Sequence, residues 1–242
     1  NYEKNNDIVL TTQNGIIKVD INEITKESEL RQKGKIAELA LGYQGGVKAL
    51  VSMGAYNMNL CESELIEIVR AFRSSNTNIV KLWNTVEKAF IEAVNNKSIV
   101  HIDKNISFIY EGNILFIKLP SGRRLSYIRP RIDYNNAFNK SIITYEGVDS
   151  TTKKNTRLTT YGGKLVENIV QAIARDVLGE AMMNLRNKGF NIVMHVHDEI
   201  VLEVENGVSS VEKVVEIMCK ENRYLKGLKL RADGFESNYY KK

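Results

Sequence analysis

The hydrophobic pattern of this chain changes period near residue 97, and that change limits the folds open to it. From residue 28 to about residue 96, apolar side chains recur every three or four positions, the repeat of a helix buried on one side. Ile36, Leu39, Ala40 and Tyr43 form one stripe. Leu65, Ile66, Val69, Ala71 and Phe72 form a second, and Ile79, Leu82, Trp83, Val86, Phe90 and Val94 a third. Trp83 reads here as a core residue. The Gly45-Gly46 pair is placed to end the first helix. Only Pro120 and Pro130 occur, so these helices meet no proline.

Beyond residue 97 the runs shorten. Residues 99–102, 106–110, 114–119 and 125–128 read as strands, with turns at Gly112-Asn113 and Ser121-Gly122. Helical spacing returns over 163–188, with Leu165, Ile169, Ile173, Val177, Met182 and Leu185 inward and Gly189 as the stop. Residues 190–196 and 200–204 predict a hairpin with His197-Asp198-Glu199 at its tip. Ser209 and Glu212 predict a capping box for a helix to about Asn222, and 228–231 a last strand. Residues 1–27 match none of this; 7–10 and 15–21 read as short extended pieces around Gln13-Asn14-Gly15. Helices and antiparallel strands in separate blocks make an α+β chain.

Composition narrows the function. Apolar residues make up 43% and charged residues 26%, which favours a buried core over disorder. No apolar run approaches the ~18 residues of a membrane span, and the polar start has no apolar signal core. No membrane partner is therefore expected, and the cytoplasm is the expected compartment. Cys61 and Cys219 match no zinc or redox spacing and read as reduced thiols. The net charge of +5 hints at an anionic partner. Its distribution says more: between Lys118 and Arg157 nine Lys/Arg face three Asp/Glu, a bias that favours a phosphate-facing surface over a plain solvated one.

Three constellations could carry chemistry. Arg31, Lys35, Leu39 and Tyr43 are four apart, so on a helix they share one broad sector. Two cations near a helix N-terminus suit a polyphosphate, and a ring two turns on suits a base. A solvated basic edge beside a buried tyrosine would look the same. The second constellation is His195-Val196-His197-Asp198-Glu199. A carboxylate on a hairpin tip can reach Mg²⁺, which takes one or two carboxylates plus substrate phosphate oxygens. It can equally be a turn residue chosen for local hydrogen bonds. His195 and His197, on one side of a strand, would permit a transition-metal site, but no third soft ligand is placed. The third is Glu167, Asn168 and Gln171 on an apolar helix, where amides could read minor-groove acceptors or merely bridge helices.

Taken in order, these features resemble the C-terminal part of family A DNA polymerases, in particular the bacteriophage-type branch. The run from Leu30 to Gly46 is similar to motif B, the fingers helix that binds the incoming nucleotide. The run from Val193 to Leu202 is similar to motif C, the palm hairpin. Residues 119–127 resemble the family's arginine-rich fingers-to-palm segment, and 161–171 its palm helix. The resemblance covers residues 24 to 242 and divides them into helical fingers with a small antiparallel region (28–160) and a partial palm with a long packed helix (161–242). Residues 1–27 form a divergent N-terminal segment.

The resemblance also implies roles. Arg31 and Lys35 hold the triphosphate of a deoxynucleotide, and Lys35 counts with Asp198 and Glu199 as catalytic. Tyr43 packs against the templating base pair. Leu39, where many cellular members carry an aromatic residue, lies by the sugar pocket. Asp198 binds Mg²⁺ with Glu199 in support, and His197 lies near the primer end. Gln171, with Glu167 or Asn168, touches the template–primer minor groove, and Arg123 and Arg124 face the DNA. The implied reaction is addition of deoxynucleotides to a primer 3′-OH by two-metal phosphoryl transfer. The family draws a second aspartate from motif A, and no such run is present here. Only ten residues separate the nearest candidate, Asp20, from Arg31. The expectation is a chain inactive alone that works with a segment carrying motif A and the thumb. The alternative is an inactive remnant that still binds nucleotide and DNA. A palm lacking its first strand would leave an exposed sheet edge or apolar patch.

Overall fold

The computed structural model describes residues 29–55, 61–135 and 139–240, with the backbone alone at 29–33, 135 and 140. The expectations for residues 1–27 lie outside the described residues. The chain is α+β and divides into two compact units. The first comprises residues up to Ile117 together with Ser126–Asn168. The second comprises Lys118–Leu125 and the chain from Ile169 onward.

In the first unit, α1 (Glu29–Leu41), α2 (Val47–Ser52), α3 (Glu62–Ser75) and α4 (Thr77–Asn96) follow the three-to-four-residue stripes. Cys61 caps α3: Glu64 Oε2 reaches back to the Cys61 N–H at 2.7 Å, so the box closes with a thiol where a hydroxyl is usual. Trp83, Val86, Ala89, Phe90 and Ala93 form the buried stripe of α4, which packs on β1 (Ile99–His101) and β2 (Ser107–Glu111). Phe90 meets Phe108 edge-on at 6.3 Å. Burying such a stripe, at ~1.5–3 kcal/mol per large side chain, holds α4 to the sheet.

The sheet is a six-stranded antiparallel meander of β1, β2, β3 (Ile114–Lys118), β4 (Arg124–Asn135), β5 (Lys140–Val148) and β6 (Asn155–Thr160). Gly112 and Asn113 both take positive φ in the β2–β3 turn, as their residue types suggest. Strands β5 and β6 have no counterpart in the sequence reading, and β4 runs well past Ile128. Two causes explain this. Pro130 lies in a bulge between Ile128 and Arg131, where a strand tolerates proline, and Arg129 there has φ +44°. The later strands carry apolar side chains mainly on one side and polar ones on the other, where Thr144 is nonetheless buried. Ile143, Tyr145 and Leu158 alternate with Thr144, Glu146 and Arg157, so no apolar run announces them. On the polar side Glu146 accepts from both Arg129 (3.0 Å) and Arg157 (3.3 Å). Part of the basic excess is thus spent within the sheet.

Helix α5 (Gly162–Asn187) begins in the first unit and continues into the second. The second unit also holds the hairpin β7 (Asn191–Val196) and β8 (Glu199–Glu203), and α6 (Val211–Met218). Among the described residues β7 and β8 form a two-stranded sheet, and Val193 and Met194 on it are exposed. Two local expectations are corrected. The cap of α6 is Ser210, whose Oγ accepts from the Lys213 N–H at 3.4 Å, and the helix stops at Met218. The stretch 228–231 pairs with no strand among the described residues. Leu228 is half exposed there, so its apolar residues close no core. No helix among the described residues is long and apolar enough to cross a membrane.

Candidate functional site

Lys35 and Leu39 are exposed on one side of α1, while Ala37, Ala40 and Leu41 are buried on the other. Arg31 lies in the same helix, and its side chain falls outside the described residues. Tyr43 is not on the helix as its spacing suggested. Helix α1 ends at Leu41, before the Gly45-Gly46 pair, because Gln44 takes φ +69° and closes a turn over 42–44. Tyr43 is half-buried in that turn, and three causes push its phenol up: burial first, then the negative charges of Glu167 and Glu38. Glu38 is itself pushed up by burial, and its Oε2 is buried without a hydrogen-bond partner among the described residues.

The first turn of α5 has no local side-chain cap. Its N–H groups are satisfied from elsewhere: Gly162 N donates to Glu87 Oε2 at 2.9 Å, and Gly163 N to Gln44 Oε1 at 2.8 Å. Trp83, 2% exposed, donates its indole N–H to the Gly42 carbonyl at 3.2 Å. Sequence reading passed over Gln44 and Glu87. The signal that could have found their partners is the Gly162-Gly163 pair at the start of an otherwise apolar helix.

The two candidates Glu167 and Asn168 separate. Glu167 lies near Tyr43. Asn168 Nδ2 donates to Tyr127 Oη at 2.9 Å, beneath edge-on contacts of Tyr127 with Phe90 (5.3 Å) and Tyr145 (5.0 Å). Gln171, one turn beyond Glu167, is exposed. Burial pushes the Tyr127 phenol up to about 12, with the Asn168 bond opposing and Tyr145 adding. Unfolded, it ionises near pH 10. Between those values the folded chain holds more protons than the unfolded one, so this contribution to stability is complete below pH 10 and is lost as pH rises to 12. The expected slope is about 1.4 kcal/mol per pH unit. Chemical unfolding from pH 9 to 12 should show this limb, and Tyr127→Phe should make it shallower, with Tyr43 and Tyr145, both also raised by burial, keeping the remainder.

In the second unit Arg123 is held internally. Its Nε lies 2.7 Å from Asp176 Oδ1 and its Nη2 2.6 Å from the Ala172 carbonyl, while Ser121 Oγ donates to Asp176 Oδ2 at 2.6 Å. Arg124 is exposed. A cavity of about 640 Å³ beside α5 is lined by Arg123, Asp176, Glu180 and Arg223, which pair as Arg123–Asp176 and Arg223–Glu180, and by Arg175, which lies beside His195.

The hairpin tip is a two-residue loop, His197-Asp198, between the paired Val196 and Glu199. His197 has φ +52°, an uncommon conformation for a residue with a Cβ, of the kind that accumulates at functional sites. His197, Asp198 and Glu199 are all exposed. His195 and His197 do not share a strand side, since His197 is in the loop. His195 Nε2 is 3.3 Å from Arg175 Nη2, and a guanidinium there opposes a bound cation. That corrects the transition-metal possibility. The remaining donors are hard oxygens, Asp198 and Glu199, and the described residues hold no cluster of three or more His, Cys, Asp and Glu able to hold a metal. Such a set fits a Mg²⁺ shared with substrate phosphates and not one caged by protein alone.

The structure thus brings Tyr43, Glu38 and Glu167 together in the first unit, and gathers His197, Asp198 and Glu199 at one tip in the second. No protein-family model matches the chain. Over 227 residues, 94% of its length, the chain is 53% identical to a DNA polymerase of Bacillus phage SP02. It spans 35% of the length of that protein.

Proposed function

We propose that the chain is the C-terminal portion of a family A DNA-directed DNA polymerase of the bacteriophage type, with fingers over 28–160 and a partial palm over 161–242. The observation that carries this reading is the 53% identity to a phage DNA polymerase across nearly the whole chain. The exposed carboxylates on a strained hairpin tip are consistent with it. In this reading Asp198, with Glu199 beside it, would hold Mg²⁺, which when bound stabilises charge on the transferring phosphate. Lys35 and Arg31 bind the triphosphate, Leu39 borders the sugar, and Tyr43 packs against the templating pair. His197, Arg123, Arg124, Gln171 and Glu167 or Asn168 lie along the template–primer. Asn168 donates one N–H to Tyr127, and Gln171, exposed and carrying amide donors, is the candidate of this set best suited to minor-groove acceptors.

The reaction adds a deoxynucleotide to the primer 3′-OH. It requires a second carboxylate from a motif A segment, which this chain lacks. The test is primer extension by this chain mixed with the upstream segment of the same polymerase. Absence of extension with any cognate segment would sink the proposal. A second reading is an inactive nucleotide- and DNA-binding remnant, which Mg²⁺-dependent extension by the mixture or by the chain alone excludes.

Lys35 provides a test of the nucleotide side. It is exposed on α1, so Lys35→Ala removes a charge without opening the core. Charge-assisted contacts to phosphate contribute about 1.5–3 kcal/mol. The expected result is a loss of deoxynucleotide affinity of roughly 10- to 100-fold with duplex affinity nearly unchanged. Equal losses for both ligands would count against the motif B assignment.

A further inference from the structure

The turn that follows α1 is clamped at several points, each to a different element of the same unit. Trp83 of α4 donates to the Gly42 carbonyl, and Arg73 Nη2 of α3 donates to the Gly45 carbonyl at 3.3 Å. Gln44 accepts from Gly163, the second residue of α5, across 119 positions of sequence. Gly163 has no room for a side chain: a Cβ there would lie 2.3 Å from the Tyr43 carbonyl oxygen and 2.4 Å from Gln44 Cβ. A Cβ on Gly162 would lie 2.2 Å from the Trp83 carbonyl oxygen. The close approach of backbones explains the paired glycines, and the side chain of Gln44 supplies the cap that α5 lacks locally.

Gln44 also bears a conformational cost. Its φ of +69° suits glycine, yet the position carries a long polar side chain. A glycine would form the same turn with less strain but could not reach the α5 N–H. The side chain is therefore the feature that this position supplies. Its neighbour Tyr43 follows the end of α1 and lies near enough to Glu167, one helical turn after Gly163, to feel its charge.

We propose that Gln44 is a positioning residue for the nucleotide site. By accepting the Gly163 N–H it fixes the turn that carries Tyr43 against the first turn of α5, so that the Tyr43 ring meets a matched base pair in one position. This inference rests on the polymerase reading above. Gln44 touches neither nucleotide nor metal in it and acts through Tyr43.

The test compares Gln44→Gly, which removes the acceptor and relieves the positive φ, with Gln44→Glu, which restores an acceptor. Both are made in the full chain and assembled with the upstream segment. One readout is amide hydrogen exchange at Gly163. The other is the ratio of matched to mismatched deoxynucleotide affinity on a template–primer, with Ca²⁺ in place of Mg²⁺. In Gln44→Gly, Gly163 exchange should rise and the affinity ratio should fall, each about 5-fold, the worth of one net hydrogen bond. Gln44→Glu should return both toward the parent chain. If the parent discriminates and Gln44→Gly discriminates equally well, Gln44 is only a helix cap and the proposal is overturned. Unchanged exchange at Gly163 overturns it as well. A parent assembly that shows no discrimination overturns the polymerase reading and the positioning role with it, while the exchange arm still reports on the Gln44–Gly163 bond.

Discussion

Asp198→Asn should reduce primer extension by the complemented chain about 10³-fold, because a carboxylate ligand to Mg²⁺ contributes several kcal/mol in the transition state and a neutral amide does not replace it. The structure makes this substitution a clean one. Asp198 is exposed in the two-residue loop between β7 and β8, and its side chain makes no hydrogen bond or ion pair among the described residues. Asparagine has the same shape and is well suited to turns. Stability and template–primer affinity should therefore stay within about twofold, since duplex affinity comes mainly from phosphate contacts elsewhere. Extension and DNA binding are measured on the same preparations. Unimpaired extension would remove Asp198 from the metal site. Parallel loss of duplex binding would make it a structural residue of the tip.

The second large effect concerns Trp83. Trp83→Ala should lower the unfolding free energy by about 3–5 kcal/mol, from the cavity left by the largest fully buried side chain and the loss of the bond to the Gly42 carbonyl. Trp83→Phe keeps most of the volume and removes the N–H, so about 1–2 kcal/mol is expected. Urea unfolding separates the two, with the midpoint shifting while the slope stays constant. The Phe variant is the more telling of the pair. It releases one clamp on the 42–45 turn with the core nearly filled, so any accompanying fall in nucleotide affinity reports on the turn. A loss below about 1 kcal/mol for the alanine variant would mean that α4 is not packed as described.

What could be read in advance differed between the two kinds of strand. The β2–β3 hairpin was legible because both faces are apolar at several positions and Gly112-Asn113 favours its turn. Strands β5 and β6 were not legible, because Thr144, Glu146 and Arg157, with Arg157 bonded to the other two, interrupt the apolar runs. The basic excess over 118–157 was visible as a number. That Arg123, Arg129 and Arg157 are engaged by Asp176 and Glu146 was not, since each partner lies 11 to 53 positions away. Tyr43 shows the same limit at short range. Four-residue spacing placed it on α1, but the φ of Gln44 moved it into a turn.

The sequence by itself determined the period of every long helix, the hairpin with its acidic tip, and the resemblance that names candidate residues. Those features are local, set by side-chain spacing and turn chemistry over a few residues. Tertiary structure alone decided that α5 is capped by Gln44 and Glu87, that Asn168 bonds Tyr127 while the charge of Glu167 comes near Tyr43, and that Arg123 ties a loop to α5. The reason is physical. Helix-end N–H groups and buried polar side chains must find partners somewhere, and which ones they find depends on how close folding brings distant backbones, as the crowding at Gly162 and Gly163 records.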